Sequence, residues 1–86
     1  MEMIGAIWIR SDYLRYLLEL NEEIKNSQYS NTGKRGNPGY TEIYISKDFL
    51  EKCMYYLSQI KETYWTKEIK EYLQSEINEL IRTNRW

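Results

Sequence analysis

The residues with the clearest chemical potential lie mid-chain, in Gly33-Lys34-Arg35-Gly36. Two adjacent cations between glycines allow a backbone to come close to an anion such as a phosphate while neutralising it. The tetrapeptide lacks the GxxxxGK[ST] pattern of a nucleotide-gripping loop; its alternative role is a solvated surface loop. Other chemistry is sparse. There is no His, so the commonest general base is missing. The carboxylate pairs Glu22 and Glu23, and Glu76 and Glu79, fall where solvated helix faces are expected. No His, Cys and Asp cluster has metal-ligand spacing, and no cofactor is implied. Cys53 is the single cysteine, so no internal disulfide is available and nothing suggests an oxidising compartment. It falls on the apolar face of a predicted helix, which reads as a buried small hydrophobe. We therefore expect a protein that is not an enzyme, with no catalytic, cofactor-binding or metal-binding residues.

Recognition of a partner is the remaining chemistry, and the composition favours it. The chain of 86 residues has no Val, one Ala, ten Ile and nine Tyr. Tyrosine combines a large apolar ring with a polar tip and suits core boundaries and contact surfaces. Trp8, Tyr16, Tyr29, Tyr40, Tyr44, Tyr55 and Trp86 fall off the main apolar stripes or in connecting segments. Aromatic residues in such places are enriched at protein interfaces. The expected contact residues are Trp8, Arg10, Lys34, Arg35, Tyr40, Glu42 and Tyr44. Net charge is −1, with twelve basic against thirteen acidic residues. A dedicated nucleic-acid binder more often carries a basic excess, so a protein partner is expected first and nucleic acid second.

Two related stretches must position these residues. Ile43-Tyr44-Ile45-Ser46-Lys47-Asp48-Phe49-Leu50 echoes Ile7-Trp8-Ile9-Arg10-Ser11-Asp12-Tyr13-Leu14. Each reads as a short alternating strand running into a helix. The strands are expected at 3–10 and 41–46, with Ile7 and Ile9, and Ile43 and Ile45, on their inner faces. Tyr13, Leu17, Leu20 and Ile24 predict an amphipathic helix from Ser11 or Asp12 to about Asn26. Ser46 is a good cap for a second helix, whose stripe is Phe49, Cys53, Leu57, Ile60 and Tyr64. Trp65, Ile69, Leu73, Ile77 and Leu80 predict a third helix over 66–83, capped by Thr66; no Gly or Pro separates it from helix 47–62, so one long bent helix is the alternative.

Residues 26–40 hold three of the four glycines and the only proline, and read as a long flexible loop with a type II turn at Asn37-Pro38-Gly39-Tyr40. The expectation is a single α+β domain over 1–86, in the order β-α-loop-β-α-α, with two short strands and three helices. Two strands alone are marginal in water. They either pair within the chain, through a crossover if parallel, or complete their sheet across a homodimer. A chain this short buries a modest fraction of its surface, which also favours a dimer. Met3–Ile9 is too short for a membrane span and lacks a basic n-region, so a cytoplasmic location is expected.

Two resemblances bear on function. Gly33-Lys34-Arg35-Gly36 is similar to the GXXG loop of KH-type RNA-binding modules, but that loop joins two helices and here Pro38 and a strand follow. Thr41–Lys52, continued to about Leu73, resembles ribbon-helix-helix DNA-binding proteins: an alternating strand, a Ser cap and an apolar pair opening a helix. The resemblance implies an intertwined dimer whose paired strands enter the major groove, with Glu42 and Tyr44 facing the bases. The glycine-containing turn of that family is replaced by Glu62-Thr63-Tyr64-Trp65-Thr66. Small size and a composition rich in Ile, Lys, Glu, Asn and Tyr also resemble the style of phage and mobile-element proteins such as anti-CRISPRs, which would place it in a host cytoplasm. The expected function is a non-catalytic inhibitor or regulator that occludes a larger protein.

Overall fold

The computed structural model describes residues 3–27 and 39–86 in full and 29–35 through their backbone. In chain order the elements are β1 (Met3–Arg10), α1 (Ser11–Leu20), α2 (Glu22–Asn26), β2 (Tyr29–Arg35), β3 (Tyr40–Ser46), α3 (Lys47–Gln59) and α4 (Tyr64–Arg82). The fold is α+β. Both strand-into-helix units form as their alternation and polarity dictate, and they meet in one sheet within one chain.

The sheet has three strands in the order β1-β3-β2. β3 is antiparallel to both neighbours. β1 and β2 are therefore parallel to each other with β3 inserted between them, and α1 and α2 make the crossover. The sheet departs from the sequence expectation in one respect. The 26–40 segment, expected to be a loop, contains β2. Its residues Tyr-Ser-Asn-Thr-Gly-Lys-Arg show no apolar alternation, and the strand is defined by pairing with β3, with a register irregularity between Asn31 and Arg35. The two expected strands, β1 and β3, pair within the chain, one of the two arrangements left open, and do so antiparallel. Gly39 has φ +89°, the left-handed region needed at the third position of a type II turn; Asn37 and Pro38 lie outside the described residues, as does Gly36.

Local chemistry sets the helix boundaries. Asn21 adopts extended backbone, and its side chain accepts a hydrogen bond from the Glu23 amide at 2.8 Å. That cap stops α1 at Leu20 and starts α2, where a single helix to Asn26 was expected. Ser46 caps α3 by accepting from the Phe49 amide at 3.1 Å. Thr63, not Thr66, caps α4: Thr63 Oγ1 accepts from the Thr66 amide, and Thr66 Oγ1 accepts from the Thr63 amide. This reciprocal box makes 47–82 two helices. At the far end Asn84 takes φ 63°, the Arg85 amide donates to the Leu80 carbonyl and the Asn84 amide to the Ile81 carbonyl. That is a Schellman ending, and it turns Trp86 back until Lys47 Nζ lies 4.9 Å from its ring centroid.

All four helices contribute to one core, on one side of the sheet. Ile9, Ile43 and Ile45 are fully buried beneath Leu17, Ile24, Phe49, Leu50, Ile69 and Leu73. Cys53 is in the same cluster, and burial pushes its thiol up to about 12. Among the described residues no helix packs on the opposite side of the sheet, where Trp8, Tyr40 and Tyr44 are exposed.

Candidate functional site

Because side chains alternate along a strand, the residues between the buried isoleucines point away from the core. Register then assembles them into rows: Arg10 beside Tyr40, Trp8 beside Glu42, and Ala6 beside Tyr44. Trp8 is 42% exposed, Tyr40 39% and Tyr44 47%, whereas Ile9, Ile43 and Ile45 are at 0%. The strand twist and spacing put Tyr40 and Tyr44 about 13 Å apart on β3, with Trp8 between them on the adjoining strand. Glu42, which makes an interaction of its own within the chain, stands at the centre of the three rings.

Of the contact residues expected from sequence, Trp8, Tyr40, Glu42 and Tyr44 are thus brought onto one face. Arg10 belongs to the same face by register, but its guanidinium is drawn away. It donates to Asp12 at 2.8 and 3.2 Å and to the Tyr13 hydroxyl at 3.1 Å, and lies 4.4 Å from the Tyr13 ring centroid and 5.7 Å from that of Trp65. Tyr13 meets Trp65 edge-on at 5.1 Å and donates to Glu68 at 3.3 Å. Burial raises the pKa of the Tyr13 phenol, with Arg10 opposing. Arg10 therefore pins β1 to α1 and α4. Lys34 and Arg35 lie on β2, and Arg35 pairs with Thr41 across the sheet. Their side chains lie outside the described residues.

Two residues that sequence reasoning did not select help to define the face. Ala6 completes the row with Tyr44, and continuing the alternation two residues back from Trp8 identifies it. Tyr72, on α4, donates its hydroxyl to the Trp8 carbonyl and so closes the outer edge of β1. Burial is the main cause that raises its pKa, with the Glu76 carboxylate adding to it. No sequence signal marks Tyr72 for this role; the contact spans 64 positions.

Elsewhere the surface offers shallow, open hollows. One, at the entry to β3, is lined by Arg10, Ser11, Asp12, Arg15, Gly39 and Tyr40. Ser11 Oγ and Thr41 Oγ1 are hydrogen-bonded at 2.6 Å beside it, a pairing that joins α1 to β3. Among the described residues no group of three or more His, Cys, Asp or Glu side chains is arranged to hold a metal ion, and no helix is long and apolar enough to cross a membrane. The chain is thus a small α+β protein whose most distinctive surface is an aromatic, uncovered sheet face. No protein-family model matches the sequence, and neither a curated protein nor a solved structure matches the chain.

Proposed function

We propose that this protein acts by binding and not by chemistry, using the open sheet face to engage another protein as a regulator or inhibitor. The observation that carries the proposal is the row arrangement of three half-exposed rings, Trp8, Tyr40 and Tyr44, on a sheet face left bare while all four helices pack on the other side. Tryptophan and tyrosine are enriched among the few residues that dominate binding at protein interfaces, because they bury much area at little entropic cost. An occluding inhibitor of the anti-CRISPR kind is one protein that would work this way.

The face would also suit nucleic acid through ring stacking, but the chain, with twelve basic against thirteen acidic residues, has no basic excess to neutralise phosphate. The ribbon-helix-helix alternative requires two copies of β3 side by side. Here β3 already has β1 on one edge and β2 on the other, which weighs against it.

The test has two arms. Tagged protein expressed in its native host should retain a partner that is lost from a Trp8→Ala/Tyr44→Ala variant whose circular dichroism melt is unchanged in form. Titration with random duplex DNA at several salt concentrations should show no steep fall of log K with log salt. Retention of every partner by the double variant, or tight salt-dependent DNA binding lost on Lys34→Ala/Arg35→Ala, would defeat the proposal.

A further inference from the structure

We infer that the hollow where α1, α2 and β3 meet is a binding site for a single phosphate group, free or carried as a monoester on a small molecule. The hollow measures about 410 Å³, and its polar lining is Ser11, Arg15, Glu19, Lys25 and Thr41.

The break at Asn21 builds it. In one straight helix Arg15 and Lys25 would stand about 15 Å apart along the axis. Asn21 instead takes extended backbone and restarts the chain as α2, which brings Lys25 to the hollow that Arg15 also lines. Among the described residues no carboxylate pairs with either side chain. Two uncompensated cations from different helices therefore share one cavity.

Its buried side supplies a further donor. Ser11 Oγ and Thr41 Oγ1 lie 2.6 Å apart, and Thr41 is 4% exposed. Each hydroxyl carries one proton and can accept as well as donate. One proton makes the bond between them, and neither oxygen has another partner among the described residues. Whichever oxygen donates, the pair retains one O–H unspent.

These groups suit phosphate in charge and in shape. A phosphate monoester carries about 1.5–2 negative charges at neutral pH and three strong acceptor oxygens, which two cations match. The donors come from three elements: the guanidinium from α1, the ammonium from α2, and a hydroxyl from the pair that joins α1 to β3. A tetrahedral group presents oxygens in as many directions, whereas a carboxylate presents two in one plane with a single charge. Glu19, the one carboxylate among the described polar lining, opposes the ligand and keeps binding weak. Two cations serve one phosphate; a nucleic-acid strand requires a basic track, which the balanced charge of this chain does not provide.

Titration of the full chain with inorganic phosphate, followed by amide chemical shifts in NMR with ionic strength held constant by sodium chloride, tests this. Saturable shifts should centre on Ser11, Arg15, Lys25 and Thr41. Arg15→Gln and Lys25→Gln should each weaken binding by about two- to fivefold, the worth of one exposed charge contact. Glu19→Gln should tighten it by a similar factor, and Lys67→Gln, exposed on α4, should leave it unchanged. Ser11→Ala or Thr41→Val alone keeps one unspent proton. The double variant keeps none and should weaken binding by roughly tenfold. Circular dichroism melts establish that each variant is folded.

Shifts that never saturate, or that spread over all the cationic residues, overturn the inference. So does a site indifferent to both Arg15→Gln and Glu19→Gln. Acetate that saturates the same amides at the same concentrations overturns phosphate as the ligand. Glycerol 3-phosphate separates the two sources: tighter binding than inorganic phosphate supports a monoester ligand, and weaker binding supports the free ion. The hollow includes none of Trp8, Tyr40 and Tyr44, so its failure leaves the open-face proposal where it stands.

Discussion

Tyr72 uses one hydroxyl to close the edge of β1, and the consequence is measurable. Removing the O–H in Tyr72→Phe leaves the Trp8 carbonyl without its donor and should lower stability by about 1 kcal/mol, the net worth of such a bond. The same variant alters the response to alkali. The folded state holds the Tyr72 phenol above its ordinary value of 10, chiefly by burial. Above that pH the unfolded chain binds fewer protons than the folded one, so stability is intact below about pH 10 and falls as pH rises beyond it. Urea midpoints collected through that range should fall less steeply for Tyr72→Phe than for the wild type; identical slopes would remove Tyr72 as a source. Cys53 gives a second test at this scale. With its thiol at about 12 and the residue buried, only about one part in ten thousand is thiolate at pH 8, and thiolate is the reactive form. Labelling by a thiol reagent should wait on unfolding and accelerate with urea; prompt reaction in native buffer would show that the site is open. The burial of Cys53 was legible from its place on the Phe49–Leu57 stripe. Arg10 was not: its alternation places it on the open face, but a salt bridge to Asp12 and stacking on Tyr13 draw the guanidinium towards α1.

At the scale of elements, what was legible is what is encoded locally. Alternating isoleucines running into an apolar helical stripe produced β1 with α1 and β3 with α3, close to the expected bounds, with a side-chain cap only at the second junction, where Ser46 accepts from the Phe49 amide. β2 was hidden because its sequence has no apolar alternation to display; its strand geometry comes from hydrogen bonds to β3, a tertiary cause that local pattern does not contain. The break at Asn21 was hidden for a related reason. The apolar stripe Leu17, Leu20, Ile24 continues across it, and only the capping side chain shows that the helix stops and restarts. Caps are also where element boundaries can be tested. Thr63→Ala removes the acceptor for the Thr66 amide and should cost about 1 kcal/mol. Thr66→Ala removes the reciprocal half from a residue that is 3% exposed and should cost at least as much. Equilibrium urea unfolding measures both; a Thr63→Ala variant as stable as the wild type would mean that α3 and α4 are separated by something other than this box.

At the scale of the molecule, the sheet has one face that carries the fold and one that is left for something else. The two are separated by a single step along β3. A domain of this length has a total stability of about 4–13 kcal/mol. Ile43→Ala opens a cavity in the fully buried layer between sheet and helices and should cost about 2–5 kcal/mol, enough to leave a substantial unfolded fraction if the wild type is near the lower bound. Tyr44→Ala, the next residue, sits at 47% exposure on the opposite face and should cost no more than about 1 kcal/mol, the span of strand preference. It should nevertheless abolish most of the binding that the face supports. A residue that contributes little to folding and much to association is the signature of a surface shaped for a partner, and the adjacent pair separates the two roles with the same strand, the same register and the same truncation. Equal losses of stability at 43 and 44 would mean that the outer face is packed by the molecule itself. A larger loss at 44 would invert the sheet and take the candidate site with it.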